Sequence, residues 1–164
     1  SGVRNFDNGA CEFTYRESIF KRRKDWIVFG VELSLEPADP AELARTAKDI
    51  QAIRDEKFPV TMKCAGSIFK NLLLAELPSS VVSQVPPKKI REGKVPAAYF
   101  LEQVGAKGMI RGGIRVADYH SNLIYNTGGG TARELRELIA DLKSRVRLQF
   151  GLELEEEIQY AGFE

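Results

Sequence analysis

Three kinds of side chain in this sequence could act together on a carboxylate-bearing substrate. Arg16 stands in Thr14-Tyr15-Arg16-Glu17-Ser18, next to an aromatic ring. A planar guanidinium can grip a carboxylate through two parallel hydrogen bonds, which suits that task better than a lysine. Ser67 sits on a glycine turn in Ala65-Gly66-Ser67-Ile68-Phe69-Lys70-Asn71. With no evident His partner it is a poor triad nucleophile, but a proton donor to carbon needs only position and compensating surroundings. Glu155-Glu156-Glu157 supplies carboxylates near the other end. Strand alternation would set Glu155 and Glu157 on one face, and Glu156 with Leu154 and Ile158 on the other. An arginine, a hydroxyl and a carboxylate can together handle a substrate that passes through an enolate, because a fixed cation and fixed donors stabilise the charge as it develops.

Each of these residues also has a plainer reading. Arg16, placed in a short strand between Phe13 and Phe20, fits a surface arginine covering apolar area. Ser67 fits a turn or helix cap, the glutamates a solvated acidic edge, and His120 a structural histidine. Lys57, Lys70 and Asn71 could bind phosphates, but single lysines are non-specific. Gly128-Gly129-Gly130 before a helix invites a phosphate-loop reading. Neither Gly-Lys-Ser/Thr nor Gly-x-Gly-x-x-Gly after a strand accompanies it, so a connector is favoured.

The elements that must position these residues follow from local signals. Residues 11–35 read as two strands joined by a charged turn at Lys21-Arg22-Arg23-Lys24, the second running through Trp26-Ile27-Val28-Phe29-Gly30-Val31. Asp39-Pro40-Ala41-Glu42 is a helix start, with an acid at the cap and Pro at the first helical position. Phe58-Pro59 stops that helix. Leu72 to Val95 reads as a Pro-rich loop with at most a turn of helix. A short helix follows Pro96 and ends before Gly105; Ile114-Arg115-Val116 and Leu123-Ile124-Tyr125 are strands. Thr131-Ala132-Arg133-Glu134 is a capping box. It opens a helix whose apolar face is Leu135, Leu138, Ile139, Leu142, Val146 and Phe150, closed by Gly151. Leu152 to Tyr160 is a final strand. Helices and antiparallel-looking strands mix without regular alternation, so the fold class is α+β.

Bulk properties narrow the function. With 24 basic and 23 acidic residues in 164, the net charge is +1, which argues against a nucleic-acid footprint. No apolar run approaches the roughly 20 residues needed to span a bilayer, so no membrane partner is expected. Two cysteines and one histidine provide no zinc-type ligand set, and no metal is expected. Without a leader peptide, Cys11 and Cys64 read as reduced thiols in a cytoplasm. Cys64, beside Ala65-Gly66, reads as a small buried thiol, with a nucleophile as the alternative.

Six segments, taken in order, resemble the flavin-dependent UDP-N-acetylenolpyruvoylglucosamine reductases, the MurB family. They are Tyr-Arg-Glu-Ser-Ile-Phe-Lys (15–21), Ala-Gly-Ser-Ile-Phe-Lys-Asn (65–71), residues 96–108, Gly-Gly-Ile-Arg-Val (112–116), Asn-Thr-Gly-Gly-Gly-Thr-Ala (126–132) and Leu-Glu-Glu-Glu-Ile (154–158). The likeness runs from about Cys11 to Gly162 and covers the carboxyl-terminal half or so of the family. It implies NADPH reduction, through FAD, of UDP-N-acetylglucosamine enolpyruvate to UDP-N-acetylmuramate in peptidoglycan synthesis, part of cell-wall biogenesis. By motif, Arg16 matches the family's active-site arginine, Ser67 its proton-donating serine and Glu157 its catalytic glutamate. The proline in the family's Leu-Glu-Pro-Glu-Val is here Glu156. Tyr15, Lys57, Asn71 and His120 fall at or near substrate-contacting positions.

The direct run from Leu33-Ser34-Leu35 through Glu36-Pro37-Ala38-Asp39-Pro40 resembles the shorter branch, which lacks a tyrosine-bearing loop. The resemblance further implies three parts. Residues 1–37 would be the last strands of an incomplete FAD-binding domain of PCMH/VAO-like type, 38–151 the substrate-binding C-terminal domain, and 152–164 a tail strand returning to the FAD domain. The N-terminal FAD-binding region would be the missing partner, so this chain alone would not retain FAD. The competing readings are an isolated UDP-sugar-binding module and a non-catalytic flavoprotein cap domain.

Overall fold

The computed structural model describes residues 2–162, so Ser1 of the expected 1–37 part and Phe163 and Glu164 of the expected tail lie outside the described residues. The chain forms two compact units that meet in sequence at Pro59 and Val60.

In the first unit the expected pair of strands over 11–35 is not formed. Thr14 and Glu17 close a tight turn on each other, at 3.1 and 3.3 Å between backbone N and O. Arg16 inside that turn has φ 58°. This left-handed backbone is uncommon for a side chain with a Cβ and incompatible with a continuing strand. Ser18 then accepts from Lys21 N–H and caps a single helical turn, α1 (Ile19–Arg22), where the charged hairpin turn was expected. Phe6, Phe20 and Trp26 stack edge to face or tilted, with centroids 5.3–6.4 Å apart. The Arg23 guanidinium lies 4.4 Å from the Trp26 ring centre. Residues 26–38 have neither helix nor strand. Their composition suits a ladder, but a strand exists only with a partner strand for its N–H and C=O groups, and no strand pairs with them among the described residues. Helix α2 (Pro40–Lys57) begins as its sequence dictates: Asp39 accepts from Ala41 and Glu42 N–H at 2.8 and 2.9 Å.

The second unit holds the core. Four antiparallel strands are ordered β1 (Lys63–Ser67), β6 (Leu123–Asn126), β5 (Ile114–Val116) and β4 (Ile110–Arg111). The stretch expected as a loop is a series of short elements: β2 (Leu72–Leu73), paired antiparallel over two residues with β3 (Lys94–Val95), the turn of helix α3 (Ser79–Val82) and two 3-10 turns. Proline spacing in that region permits only short elements. Helix α4 (Ala97–Gln103) follows Pro96. Helix α5 (Ala132–Phe150) opens with the complete Thr131/Glu134 capping box and closes on Gly151 at φ 67°. Its Leu138, Ile139, Leu142 and Val146 are at most 2% exposed and join Ile114, Val116 and Ile124 of the sheet, with Phe100 and Leu101, in one core cluster. In β5 alternation does the sorting: Arg115, between buried Ile114 and Val116, is half-buried, whereas in β6 Leu123 and Ile124 are both buried and Tyr125 and Asn126 are half-buried.

Two glycines make the sheet corner possible. A Cβ on Gly113 would fall 2.3 Å from the Gly130 nitrogen, and one on Gly130 would fall 2.8 Å from the Gly113 carbonyl carbon. The bend at 112–113 and the glycine loop at 128–130 are therefore one close backbone approach. The final strand expected from Leu152 to Tyr160 shrinks to one bridge, between Phe69 and Glu156. Leu152 and Leu154 ahead of it are buried.

Among the described residues no helix is long and apolar enough to cross a membrane, and no cluster of His, Cys, Asp and Glu could hold a metal ion.

Candidate active site

Ser67 ends β1, opposite Leu123, where the ladder is interrupted between Cys64 and Ser67. Gly66 sits in the interruption at φ 81°. An irregularity of this kind re-aims a side chain at the end of a strand. It leaves Ser67 exposed, while the next residues, Ile68 and Phe69, are 1% exposed and anchored in the core.

The tail comes back to this segment. Glu157 N–H donates to the Ile68 carbonyl at 2.7 Å, and Lys70 N–H donates to the Glu155 carbonyl at 2.9 Å. Glu157 is thereby fixed, through its backbone, beside the residue that follows Ser67. Its side chain is half-buried. The neighbouring acids are occupied differently. Glu156 points to α5 and pairs with Lys143 at 3.0 Å, the face on which alternation places it with Leu154 and Ile158. Glu155 pairs with the Lys70 ammonium, whose side chain is 9% exposed. Lys70 is therefore an internal cation tied to the tail, not an open phosphate ligand.

This pair makes Glu155 structurally costly to change. Glu155→Gln should destabilise the protein by about 1–3 kcal/mol, because it removes the charge from a hydrogen bond made by a buried ammonium. Glu156→Gln removes the charge from a pair whose two side chains are 27% and 24% exposed and keeps a hydrogen-bonding amide there, so it should cost about 1 kcal/mol. Urea unfolding of both variants measures the difference; equal midpoints would show that the Lys70–Glu155 contact carries no stability.

Asn71 stands at the start of α4, where its Oδ1 accepts from Ala97 N–H at 3.3 Å. Pro96 gives that helix no side-chain cap, so Asn71 supplies one from a distance in sequence. His120 is half-buried in the turn before β6. Its Nδ1 accepts from Asn122 N–H at 3.2 Å, which leaves Nε2 as the protonated nitrogen of the neutral ring. Beside it, Tyr119 has its phenol pKa raised by desolvation, then by the Cys64 thiol and the Tyr125 phenol, so it stays a neutral donor at physiological pH. Cys64 itself is half-buried and is a free thiol.

Tyr15, Arg16 and Lys57 belong to the first unit. Arg16 is exposed, and its guanidinium carbon is 5.9 Å from the Tyr15 ring centre. The Lys21 ammonium donates to the Arg16 carbonyl at 2.7 Å and supports the left-handed turn. Lys57 is the last residue of α2.

The glycine loop offers little to an anion. Asn126 Oδ1 accepts from Gly128 N–H at 2.8 Å and from Gly130 N–H at 2.9 Å, and its Nδ2 donates to the Gly130 carbonyl at 2.7 Å. The donors a phosphate would need are already used by a side chain of the preceding strand.

An α+β unit that presents a serine at a strand irregularity beside a returning glutamate can be set against known families. The model of the C-terminal domain of UDP-N-acetylenolpyruvoylglucosamine reductase matches residues 58–161, more than half of the chain. The chain belongs to this family. The UDP-N-acetylenolpyruvoylglucosamine reductase of Solibacter usitatus is 66% identical over 162 residues, 99% of this chain and 52% of the relative. That of Carboxydothermus hydrogenoformans is 32% identical over 98% of this chain and 46% of the relative. The crystal structure of the enzyme from Thermus caldophilus overlaps 77% of this chain and 37% of its own, at 25% identity and a TM-score of 0.49. The chain thus spans about half the length of the curated relatives it matches.

Proposed function

We propose that this chain is the substrate-side part of a UDP-N-acetylenolpyruvoylglucosamine reductase, forming UDP-N-acetylmuramate for peptidoglycan synthesis in the cytoplasm. The observation that supports this best is the pairing of Glu157 N–H with the Ile68 carbonyl. Motif matching selects Ser67 and Glu157 independently, and this bond ties the Glu157 backbone to the residue after Ser67 though the two segments lie far apart in sequence.

FAD and NADPH, when bound, supply the hydride. The glycine loop at 128–130 is poorly suited to cradle the FAD diphosphate, since Asn126 already occupies two of its N–H groups. The flavin is accordingly assigned to the part of the longer relatives that this chain does not cover. The chain's own residues act on the substrate. Arg16 holds the carboxylate of the enolpyruvyl group with a delocalised, permanently charged fork. Negative charge that spreads into that carboxylate when the methylene carbon is reduced is stabilised by a proton shared with Glu157. Ser67 then gives its proton to the carbon bearing the ether oxygen. Tyr15, Lys57, Asn71 and His120 are assigned to holding the UDP-sugar. Remote contacts of this kind raise the rate by keeping the reacting atoms aligned.

Two measurements test the reading. The full-length protein, flavin-loaded, should consume NADPH only with the enolpyruvyl sugar present and should yield UDP-N-acetylmuramate by mass spectrometry. Sugar binding without NADPH consumption would instead indicate a binding module. The 164-residue chain alone should emerge colourless from gel filtration after incubation with FAD. A yellow, stoichiometrically loaded chain would overturn the assignment of the flavin to the uncovered part.

A further inference from the structure

We infer that Asn122 is a positioning residue that keeps Ser67 and Glu157 in register; the inference rests on the proposed reading of those two residues. Asn122 is 3% exposed and uses both ends of its side-chain amide on one residue. Its Oδ1 accepts from Phe69 N–H at 2.9 Å, and its Nδ2 donates to the Phe69 carbonyl at 2.8 Å. Its own backbone carbonyl accepts from Ile68 N–H at 3.1 Å. A side-chain amide that exchanges both hydrogen bonds with a peptide unit reproduces a hydrogen-bonded strand pair. It does so where β1 has ended and no strand continues the ladder.

The same short segment is held by the tail on Ile68 O and Lys70 N–H. Phe69 is also the bridge partner of Glu156, the residue before Glu157. Ile68–Lys70 is therefore a strip held by Asn122 and by 155–157, with Ser67 immediately before it and Glu157 against it. Asn122 is itself fixed at its N–H by His120 Nδ1, and the adjacent Ser121 hydroxyl donates to the Ala98 carbonyl at 2.7 Å. Loss of the Asn122 amide would free the strip to shift while leaving the α5-backed sheet intact. A displacement near 1 Å at reacting groups is enough to lower turnover on the order of 10²-fold.

The test uses the full-length, flavin-loaded protein with Asn122→Asp, which keeps the acceptor but sets an oxygen against the Phe69 carbonyl, and Asn122→Ser, which is small and neutral and admits a water. Steady-state kinetics and amide hydrogen exchange are both read. The expected result is a fall in kcat on the order of 10²-fold with KM little changed. Exchange should rise at 68–70 and 155–157 and stay unchanged at 114–116. A uniform rise through the sheet would overturn the inference in favour of a general structural role. Unchanged kcat with a loosened strip would also overturn it. In wild-type protein the Asn122 side-chain amide proton directed at the Phe69 carbonyl should exchange as slowly as the Glu157 amide; fast exchange of that proton would overturn the inference without any variant. If the wild-type protein turns over no enolpyruvyl sugar, the functional reading fails, and the exchange data still decide whether Asn122 holds the strip.

Discussion

Ser67→Ala in the full-length protein should slow reduction of the enolpyruvyl sugar by on the order of 10²-fold or more, the range for loss of a positioned general acid. Flavin reduction by NADPH should stay near the wild-type rate, because the serine is assigned to protonating the substrate and not to the nicotinamide step. Stopped-flow traces separate the two half-reactions. Little structural damage is expected, since Ser67 is exposed and its side chain is not part of the core. If both half-reactions slowed equally, Ser67 would be positioning the cofactor or holding the turn, and the proton-donor assignment would be wrong.

Glu157→Gln should lose roughly 3–4 kcal/mol of transition-state stabilisation, with the loss in turnover and not in substrate affinity. The interaction strengthens only as charge develops, so KM should stay within a few-fold. Glu156→Gln is the matched control, because its carboxylate is turned to Lys143 on α5. A large turnover defect in Glu156→Gln beside a near-normal Glu157→Gln enzyme would show that the glutamate replacing the family's proline has shifted the catalytic position by one residue.

The parts of the fold that local chemistry controls were legible in the sequence. The Asp39-Pro40 start, the Thr131/Glu134 box and the Gly151 stop each involve residues within one helical turn, and each is found where its residues place it. The strands at Ile114-Arg115-Val116 and Leu123-Ile124-Tyr125 are likewise found where their composition places them. Local reading failed where partners decide the outcome. Residues 26–35 have strand composition, but composition supplies no ladder partner. Arg16 was assigned to a strand, and its positive φ depends on the Thr14–Glu17 turn and on Lys21 reaching back to its carbonyl.

At the candidate site, the Ser67–Glu157 neighbourhood was accessible only through family resemblance. Nothing in the spacing announces that the tail returns to residue 68. The Lys70–Glu155 pair and the Asn122 amide were missed because each joins residues more than fifty positions apart. The place of Asn122 two residues after His120 was a local hint. Asn126, which takes up the glycine loop's donors, could have been suspected from its place just before Thr127-Gly128.

The most direct test of the account is a crystal structure of the full-length protein with the enolpyruvyl sugar bound. The account predicts the Ser67 hydroxyl about 3–3.5 Å from the ether-bearing carbon and a Glu157 carboxylate oxygen within hydrogen-bond reach of the enolpyruvyl group. A sugar bound with its enolpyruvyl group away from Ser67, or with Glu156 and not Glu157 turned towards it, would contradict the central claim.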